Sequence, residues 1–157
     1  LVGPVIDDAS AQRITEWIDE AVRAGAELLC GGSREGTYVA PTVLRDVPAD
    51  VHLGHNEAFA PVLCVRTFSS LDEAFDTVND SRFGLQCGVF THDIQTAFRA
   101  HRDLEVGGVI VGDVPSFRAD QMPYGGVKDS GNGREGIRSA MRDFTEDRVL
   151  VLTSLDL

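Results

Sequence analysis

Residues 61–111 read PVLCVRTFSSLDEAFDTVNDSRFGLQCGVFTHDIQTAFRAHRDLEVGGVIV and alternate between two patterns. Stretches rich in β-branched and aromatic residues at 61–68, 85–91 and 109–111 read as strands. Between them, apolar residues recur at the spacing of amphipathic helices. The order β-α-β-α-β with short connections predicts an α/β fold with a parallel sheet and two right-handed crossovers.

Helical periodicity also predicts what the helices bury. Apolar residues recur at offsets of 0, 3, 4, 7 and 8 between Ile14 and Val22, which predicts an amphipathic helix that starts at an N-cap, Ser10, and ends at Gly25. In the second helix of the central segment, the spacing places Ile94, Ala97, Phe98 and His101 on one face.

The C-terminal part changes character after residue 111. Residues 112–136 hold six glycines and two prolines with little periodicity, which predicts a long structured loop of the kind that commonly carries function. A short helix is predicted at 136–144. Residues 148–153 read as an apolar strand with no sequence neighbour, so we expect it to pair with another chain. The predicted organisation is one unit over 1–147 and an oligomerisation strand over 148–157.

Composition excludes several classes of protein. The chain has 157 residues, 43% of them hydrophobic and 25% charged, and a formal net charge of −11. Such a composition is typical of a globular domain, and so acidic a surface disfavours nucleic acid and anionic membranes. No signal-peptide pattern or membrane-length apolar run is present, so we expect a cytoplasmic location. Because the first residue is Leu1, we expect that the natural start lies elsewhere.

The three cysteines, Cys30, Cys64 and Cys87, are odd in number, widely spaced and without a CxxC pair. A disulfide framework or metal site is therefore not expected, and a reducing compartment fits. Each lies in an apolar stretch, which favours three small buried hydrophobes. The alternative, a catalytic thiolate, needs a neighbouring base or helix N-terminus that the local sequence lacks.

Four segments, in order and spacing, resemble the C-terminal part of the aldehyde dehydrogenase superfamily. They are Gly3–Asp7, Pro41–Leu44, Asn56–Val62 and Pro123–Glu135. The resemblance runs from end to end of the chain and implies the C-terminal part of that family's catalytic domain. It further implies oxidation of a small aldehyde with NAD or NADP.

The resemblance implies two cofactor-binding residues. In the family's Glu-x-Phe-Gly-Pro motif, Glu57 would accept hydrogen bonds from the nicotinamide ribose hydroxyls and Phe59 would pack near the nicotinamide ring. The alternative is a solvated loop carboxylate beside a core Phe. Ala60 stands where the family usually has Gly, and it would be strained if that position needs positive φ.

The resemblance also implies two substrate-binding residues on the long loop. Phe117 falls where an aromatic wall of the aldehyde tunnel is often found. Arg118 resembles the branch that acts on small aldehydes such as lactaldehyde, phosphonoacetaldehyde or semialdehydes. A guanidinium can hold the phosphonate or carboxylate of the anionic aldehydes among these. The alternative for Arg118 is an ion pair with Asp113 or Asp120.

The Pro-Tyr-Gly-Gly-Val-Lys segment resembles a family loop that supports the active site and subunit contacts. Its glycines would permit close backbone approach, and Lys128 and Arg134 are interpreted as structural ion-pair partners. Gly112 replaces the family's common Asn, which puts the order of the loop in question.

The resemblance implies that the nucleophilic cysteine and general-base glutamate lie upstream of this chain. Gln86-Cys87 mimics a nucleophile motif but falls inside a predicted strand. We therefore expect the chain alone to be inactive, and to require the missing N-terminal part and a homo-oligomer, a dimer or tetramer. Two alternatives remain open: a non-catalytic assembly module related to aldehyde dehydrogenases, and a CoA-acylating dehydrogenase.

Overall fold

The structure is a computed structural model that describes residues 2–153. It contains two compact units, residues 1–70 and 71–157. The first unit contains, in order, α1 (Asp8–Arg23), β1 (Glu27–Cys30), β2 (Arg34–Glu35), β3 (Tyr38–Val39), β4 (Thr42–Arg45), α2 (His52–His55) and β5 (Val62–Val65). The second contains α3 (Leu71–Asn79), β6 (Phe83–Gly84), β7 (Gln86–Val89), α4 (Ile94–Asp103), β8 (Gly108–Val111), β9 (Val127–Lys128) and α5 (Ile137–Asp143).

The core of the first unit forms where α1 packs against β3, β4 and α2. The helix buries Ala11, Ile14, Ile18 and Ala21. Of the predicted face, Ile14, Ile18 and Ala21 are confirmed as buried, whereas Val22 is exposed. Ile14 and Ile18 are almost fully buried, and burying each side chain contributes roughly 1.5 to 3 kcal/mol. The N-cap is Asp7, whose side chain accepts from the Ser10 N–H at 2.7 Å. The prediction of Ser10 as the N-cap is therefore wrong, because a carboxylate three residues earlier reaches that N–H.

The sheet of the first unit has the order β1-β4-β5. β4 and β5 run parallel, with Thr42 opposite Val62 and Arg45 opposite Val65, and β1 runs antiparallel to β4. Short β2 and β3 form an antiparallel pair of their own. The parallel pairing of β4 with β5 places the loop that precedes β5 at the end of the sheet where both strands begin.

In the second unit, β7 and β8 run parallel and are joined through α4, with Gln86 opposite Gly108 and Val89 opposite Val111. This is one of the two crossovers that the alternation predicts. The other does not form as a sheet crossover, since the described partner of β5 is β4. The mixed α/β class with parallel strands is confirmed, but element order alone does not determine which strands hydrogen-bond.

The face of α4 that holds Ile94 and Phe98 is not its buried face. Ala100 and Leu104 are buried with Phe75 in the core of this unit, whereas Ile94 and Phe98 are 65% and 70% exposed. The small Ala100 lets the helix approach β7 and β8 closely, and its larger apolar residues lie on the opposite side. Periodicity detects an apolar stripe on a helix but does not identify the neighbour that covers it.

The helix predicted at 136–144 is confirmed as α5, with Gly136 as N-cap and Phe144 as C-cap.

Residues 145–153 form no strand within this chain, and residues 154–157 lie outside the described residues. The strand expected at 148–153 is thus not formed by the single chain, because a strand needs a hydrogen-bonded partner; its pairing with a second chain stays a prediction. Within residues 2–153, no helix combines the length and apolar composition that crossing a membrane requires.

Candidate functional site

The four predicted binding residues lie on two loops, one in each unit. Glu57 and Phe59 belong to residues 56–61, between α2 and β5, which we call the Glu57 loop. Phe117 and Arg118 belong to residues 112–126, between β8 and β9, which we call the Arg118 loop. Each loop is described within its own unit.

Backbone hydrogen bonds hold both ends of the Glu57 loop. At its start, the Asn56 N–H donates to the His52 carbonyl at 2.9 Å and closes α2. At its end, the Pro61 carbonyl accepts from the Thr42 N–H at 2.9 Å. The loop is therefore tied to α2 on one side and to β4 on the other, and its middle residues project between these anchors.

Phe59 has a backbone conformation that is rare for a bulky residue. Its φ is +51°, in the left-handed region, which costs roughly 1 to 2 kcal/mol for a residue with a Cβ. Its ring is nevertheless 80% exposed, so the strain is not offset by burial within this chain. The interpretation of Phe59 as a core residue is therefore wrong. Such an outlier is typical of binding sites, where the fold holds a strained residue for a ligand.

The strain expected at Ala60 is located one residue earlier. Ala60 is not among the described residues with positive φ, and it packs against the core of the first unit. Glu57 is exposed and forms no hydrogen bond or ion pair with any described residue. The loop thus presents a free carboxylate and an exposed ring, separated by one residue.

Helix α1 contacts the middle of the Glu57 loop through Arg13. Its Nη2 donates to the Ala58 carbonyl at 3.4 Å, and its guanidinium lies 4.5 Å from the centroid of the Trp17 ring. Sequence analysis missed Arg13, since 45 residues separate it from Ala58 and no local pattern links the two. Trp17, predicted as part of the buried face, is half-buried and serves as the platform for Arg13.

A second contact from α1 holds α2. The Trp17 and His52 rings stack with centroids 5.1 Å apart. Glu20 Oε2 accepts from the His52 backbone N–H at 3.1 Å and lies 2.7 Å from its Nδ1. These two hydrogen bonds lower the pKa of Glu20 below its ordinary value. Helix α1 therefore holds both α2 and the loop that follows it.

The Arg118 side chain is engaged within its own unit. Its Nη2 donates to Glu135 Oε2 at 2.5 Å, and its guanidinium lies 4.7 Å from the centroid of the Tyr124 ring. Tyr124 and Glu135 are themselves joined by two backbone hydrogen bonds, of 3.1 and 2.6 Å. The expected ion pair of Arg118 exists, but with Glu135 rather than with the nearby Asp113 or Asp120.

Phe117 is 48% exposed, and the side chain of Gln86 holds its backbone. Gln86 Nε2 donates to the Phe117 carbonyl at 3.2 Å, while Gln86 Oε1 is buried without a hydrogen-bond partner among the described residues. Sequence analysis considered Gln86 only as part of a misleading nucleophile motif. Its contact joins β7 to the Arg118 loop.

The glycine-rich segment after Arg118 is closely packed, as the resemblance implies. A Cβ on Gly125 would clash with the Gly133 carbonyl, and one on Gly126 would clash with Ser130. Arg134 Nη1 donates to the carbonyls of Gly126 at 2.8 Å and Gly133 at 2.9 Å. Arg134 thus bonds to carbonyls, whereas the prediction was an ion pair.

Lys128 is a structural cation, as predicted. Its Nζ lies 3.0 Å from Glu105 Oε2 and donates to the carbonyls of Asn79 at 2.6 Å and Ser81 at 3.1 Å.

The Gly112 position is left-handed, with φ +83° and open space where a Cβ would lie. Gly therefore suits the backbone that the Arg118 loop requires at its start.

The cysteines differ from the prediction. Cys30 and Cys64 are exposed and Cys87 is half-buried. All four residues of β1 and the two middle residues of β5 are exposed in the described part of the chain. Burial raises the pKa of Cys87 above its ordinary value, which is opposite to what a nucleophilic thiolate needs. Among the described residues, no three His, Cys, Asp or Glu side chains form a group that could hold a metal ion.

The family model described as the aldehyde dehydrogenase family matches residues 1–150. The chain belongs to the aldehyde dehydrogenase family. The match includes the Glu57 loop, the Arg118 loop and the glycine-rich segment, so the resemblance seen in the four motifs is confirmed.

Two curated relatives within the aldehyde dehydrogenase family show how much of a protein the chain represents. It is 46% identical to a 3-sulfolactaldehyde dehydrogenase from Priestia aryabhattai, covering 96% of this chain and 32% of that protein. It is 41% identical to a lactaldehyde dehydrogenase from Methanococcus maripaludis, covering 98% of this chain and 33% of that protein. The chain therefore spans about a third of the length of these relatives.

Solved aldehyde dehydrogenases share the fold of this chain. Aldehyde dehydrogenase 21 from Physcomitrella patens, solved with the product succinate, is 44% identical with a TM-score of 0.95, over 99% of this chain and 32% of that one. Glyceraldehyde-3-phosphate dehydrogenase from Methanocaldococcus jannaschii, solved with NADP, is 39% identical with a TM-score of 0.85, over 90% and 31%. An aldehyde dehydrogenase from Mycobacterium tuberculosis, solved with NAD+, is 28% identical with a TM-score of 0.87, over 99% and 33%.

Proposed function

We propose that this chain is the C-terminal part of an NAD(P)-dependent aldehyde dehydrogenase that oxidises a small anionic aldehyde to a carboxylate. Within it, the Glu57 loop binds the nicotinamide riboside of the cofactor, and the Arg118 loop forms one wall of the aldehyde site. The observation that carries the proposal is the pairing, on one loop, of an unpartnered carboxylate at 57 with an exposed, strained aromatic ring at 59.

The residues of the Glu57 loop fit a nicotinamide riboside. A free carboxylate is a good acceptor for the two hydroxyls of a ribose, and Glu57 has no competing protein partner among the described residues. An exposed aromatic face fits against a flat heterocycle, and Phe59 supplies one. When bound, the dinucleotide supplies the acceptor for the hydride that leaves the aldehyde carbon. Glu57 and Phe59 would orient the nicotinamide end and take no part in the bond changes.

Arg118 supports an anionic aldehyde as the substrate. Its Nη2 is bonded to Glu135, but a guanidinium has five N–H donors, so others remain for a carboxylate or sulfonate. One relative is named for 3-sulfolactaldehyde, which carries a sulfonate, and one structural neighbour was solved with succinate, a dicarboxylate. Another relative is named for lactaldehyde, a small aldehyde. Phe117 would form the apolar wall beside this clamp.

The catalytic groups themselves belong to the proposed upstream part of the protein. No cysteine of the chain has the environment of a nucleophile, so we expect residues 1–157 alone to have no dehydrogenase activity. We expect the complete protein to act in the cytoplasm as a homo-oligomer, a dimer or tetramer. The apolar residues Val149, Leu150 and Val151 are largely exposed and support pairing of 148–157 with a second chain.

The test is Glu57→Gln in the complete natural polypeptide that contains this chain. Losing a charged hydrogen-bond acceptor should raise the Kd for NAD(P)+ about tenfold or more, since such bonds contribute roughly 1.5 to 3 kcal/mol. Glu35→Gln is the matched control, because Glu35 is an exposed carboxylate of the same unit on β2. Isothermal titration with NAD+ and NADP+ gives the measurement.

The proposal fails if Glu57→Gln and Phe59→Ala together leave cofactor binding and turnover unchanged. Absence of aldehyde oxidation by the complete protein with either NAD+ or NADP+ would favour the alternative, a non-catalytic assembly module related to aldehyde dehydrogenases. Thioester release to coenzyme A rather than to water would instead identify a CoA-acylating dehydrogenase.

A further inference from the structure

We propose that Arg13 is a positioning residue that holds the Glu57 loop in its cofactor-binding conformation; this inference rests on the proposed function. Arg13 lies on α1 and would not touch the cofactor itself. Its contact is with the Ala58 carbonyl, between the two residues proposed to bind the nicotinamide riboside. That carbonyl belongs to the peptide unit that joins Ala58 to Phe59, so its orientation sets φ of Phe59.

The geometry of the peptide unit explains how Arg13 acts. The Ala58 carbonyl and the Phe59 N–H belong to one planar group. Rotation of that plane changes ψ of Ala58 and φ of Phe59 together. With the Ala58 oxygen turned toward Arg13 at 3.4 Å, φ of Phe59 is +51°. The opposite orientation would return Phe59 to negative φ, where its side chain is not strained. The Arg13 hydrogen bond therefore favours the strained form of the loop.

Arg13 is itself held in place. Its guanidinium stacks on Trp17 at 4.5 Å, and Trp17 in turn stacks on the ring of His52. Glu20 fixes His52 through two contacts. Because His52 belongs to α2, which leads directly into the Glu57 loop, the same cluster fixes the start of the loop and its central carbonyl. A flexible surface arginine would lack this support.

Loss of Arg13 should therefore weaken binding of NAD(P)+ and leave binding of the aldehyde unchanged. Without Arg13, the loop relaxes toward the unstrained form, and part of the binding energy of NAD(P)+ is used to restore the strained form. The apparent Kd rises in inverse proportion to the fraction of molecules that keeps the binding-competent loop. Aldehyde binding depends on the other unit and should not change. A merely structural role would instead lower stability and leave the intact protein's cofactor affinity unchanged.

The experiment uses the complete natural polypeptide with Arg13→Ala, Arg13→Lys and Arg23→Ala. We expect Arg13→Ala to raise the Kd for NAD(P)+ roughly tenfold, with the KM for aldehyde within a factor of two of wild type. Arg13→Lys keeps a long cationic donor and should recover part of the loss. Arg23 is the matched control, an arginine of the same helix whose Nε donates to the Asp19 carbonyl; its variant should bind cofactor as wild type does.

The double variant Arg13→Ala with Glu57→Gln separates this inference from the proposed function. If Arg13 acts through the loop, its removal should have a smaller effect once Glu57 is lost, so the two effects should not add. Weakened binding in Glu57→Gln together with normal binding in Arg13→Ala overturns the positioning role alone. Normal binding in both variants overturns the proposed function and the positioning role with it. An equal loss in Arg23→Ala also overturns the role of Arg13.

Discussion

The two loops that carry the proposed binding residues are built in opposite ways. In the Glu57 loop, the side chains of Glu57 and Phe59 are free, and a side chain from α1 holds the backbone. In the Arg118 loop, the Arg118 side chain is itself paired with Glu135 and stacked on Tyr124. In the proposed sites, the first loop would meet its ligand with free side chains, at a cost in backbone strain. The second would share its cation between a ligand and Glu135.

This difference suggests a division between cofactor and substrate recognition. A nicotinamide riboside presents the same groups whichever aldehyde is oxidised, and a strained, pre-organised loop would suit a ligand that does not vary. A cation balanced by Glu135 holds its position without a substrate and retains donors for an anion.

Arg118→Leu should have the largest effect, and only on charged substrates. In the complete protein, we expect kcat/KM for an anionic aldehyde to fall about a hundredfold, because a charge-assisted contact is lost. The value for a neutral aldehyde of similar size should change little. Steady-state kinetics with the two substrates gives the comparison.

Arg82→Leu is the matched control for Arg118. Arg82 belongs to the same unit, pairs with Asp129 at 2.5 Å and lies 5.4 Å from the centroid of the Phe83 ring, so it makes contacts of the same two kinds. Equal losses on anionic and neutral aldehydes in Arg118→Leu would show that Arg118 has only a structural role. A selective loss in Arg82→Leu would contradict the assignment of the clamp to Arg118.

Phe59→Asn should relieve the backbone strain at position 59 and, at the same time, remove the aromatic ring proposed to contact the nicotinamide. Asn tolerates the left-handed region, so the free energy of unfolding should rise by about 1 kcal/mol while NAD(P)+ binding weakens. Phe68→Asn is the control, since Phe68 is another exposed Phe of the same unit that is not among the described residues with positive φ. Denaturant unfolding of the complete protein measures the change. A loss of stability in Phe59→Asn would mean that the loop is not strained.

Glu20→Gln should have the smallest effect, and a pH-dependent one. Because its folded-state pKa lies below the ordinary 4.5, ionised Glu20 stabilises the fold above about that pH, and the contribution is lost as the pH falls through the folded-state pKa. Thermal unfolding should therefore show a lower Tm for the variant at pH 7, and the difference should shrink below pH 4.5. Glu16→Gln on the same helix is the control. A difference that persists at pH 3 would exclude the hydrogen bonds to His52 as its cause.

The sequence predicted helices and strands well where the pattern that indicates them lies within one short stretch of the chain. The buried face of α1 follows from the spacing of Ile14 and Ile18, and α5 at Ile137–Asp143 follows the glycine-rich segment as predicted. Long-range relations were less accessible. The pairing of β5 with β4, the exposed face of α4 and the partner of Arg118 each depend on residues far away in the chain.

What the sequence by itself determined is membership of the aldehyde dehydrogenase family and the chemistry that Glu57 and Arg118 offer, because ordered motifs and residue types are read directly from the chain. Only the tertiary structure decided that Phe59 is strained, that Arg13 reaches Ala58 and that Glu135 pairs with Arg118. Backbone strain and contacts between distant residues arise from packing, and packing has no local signature in the sequence.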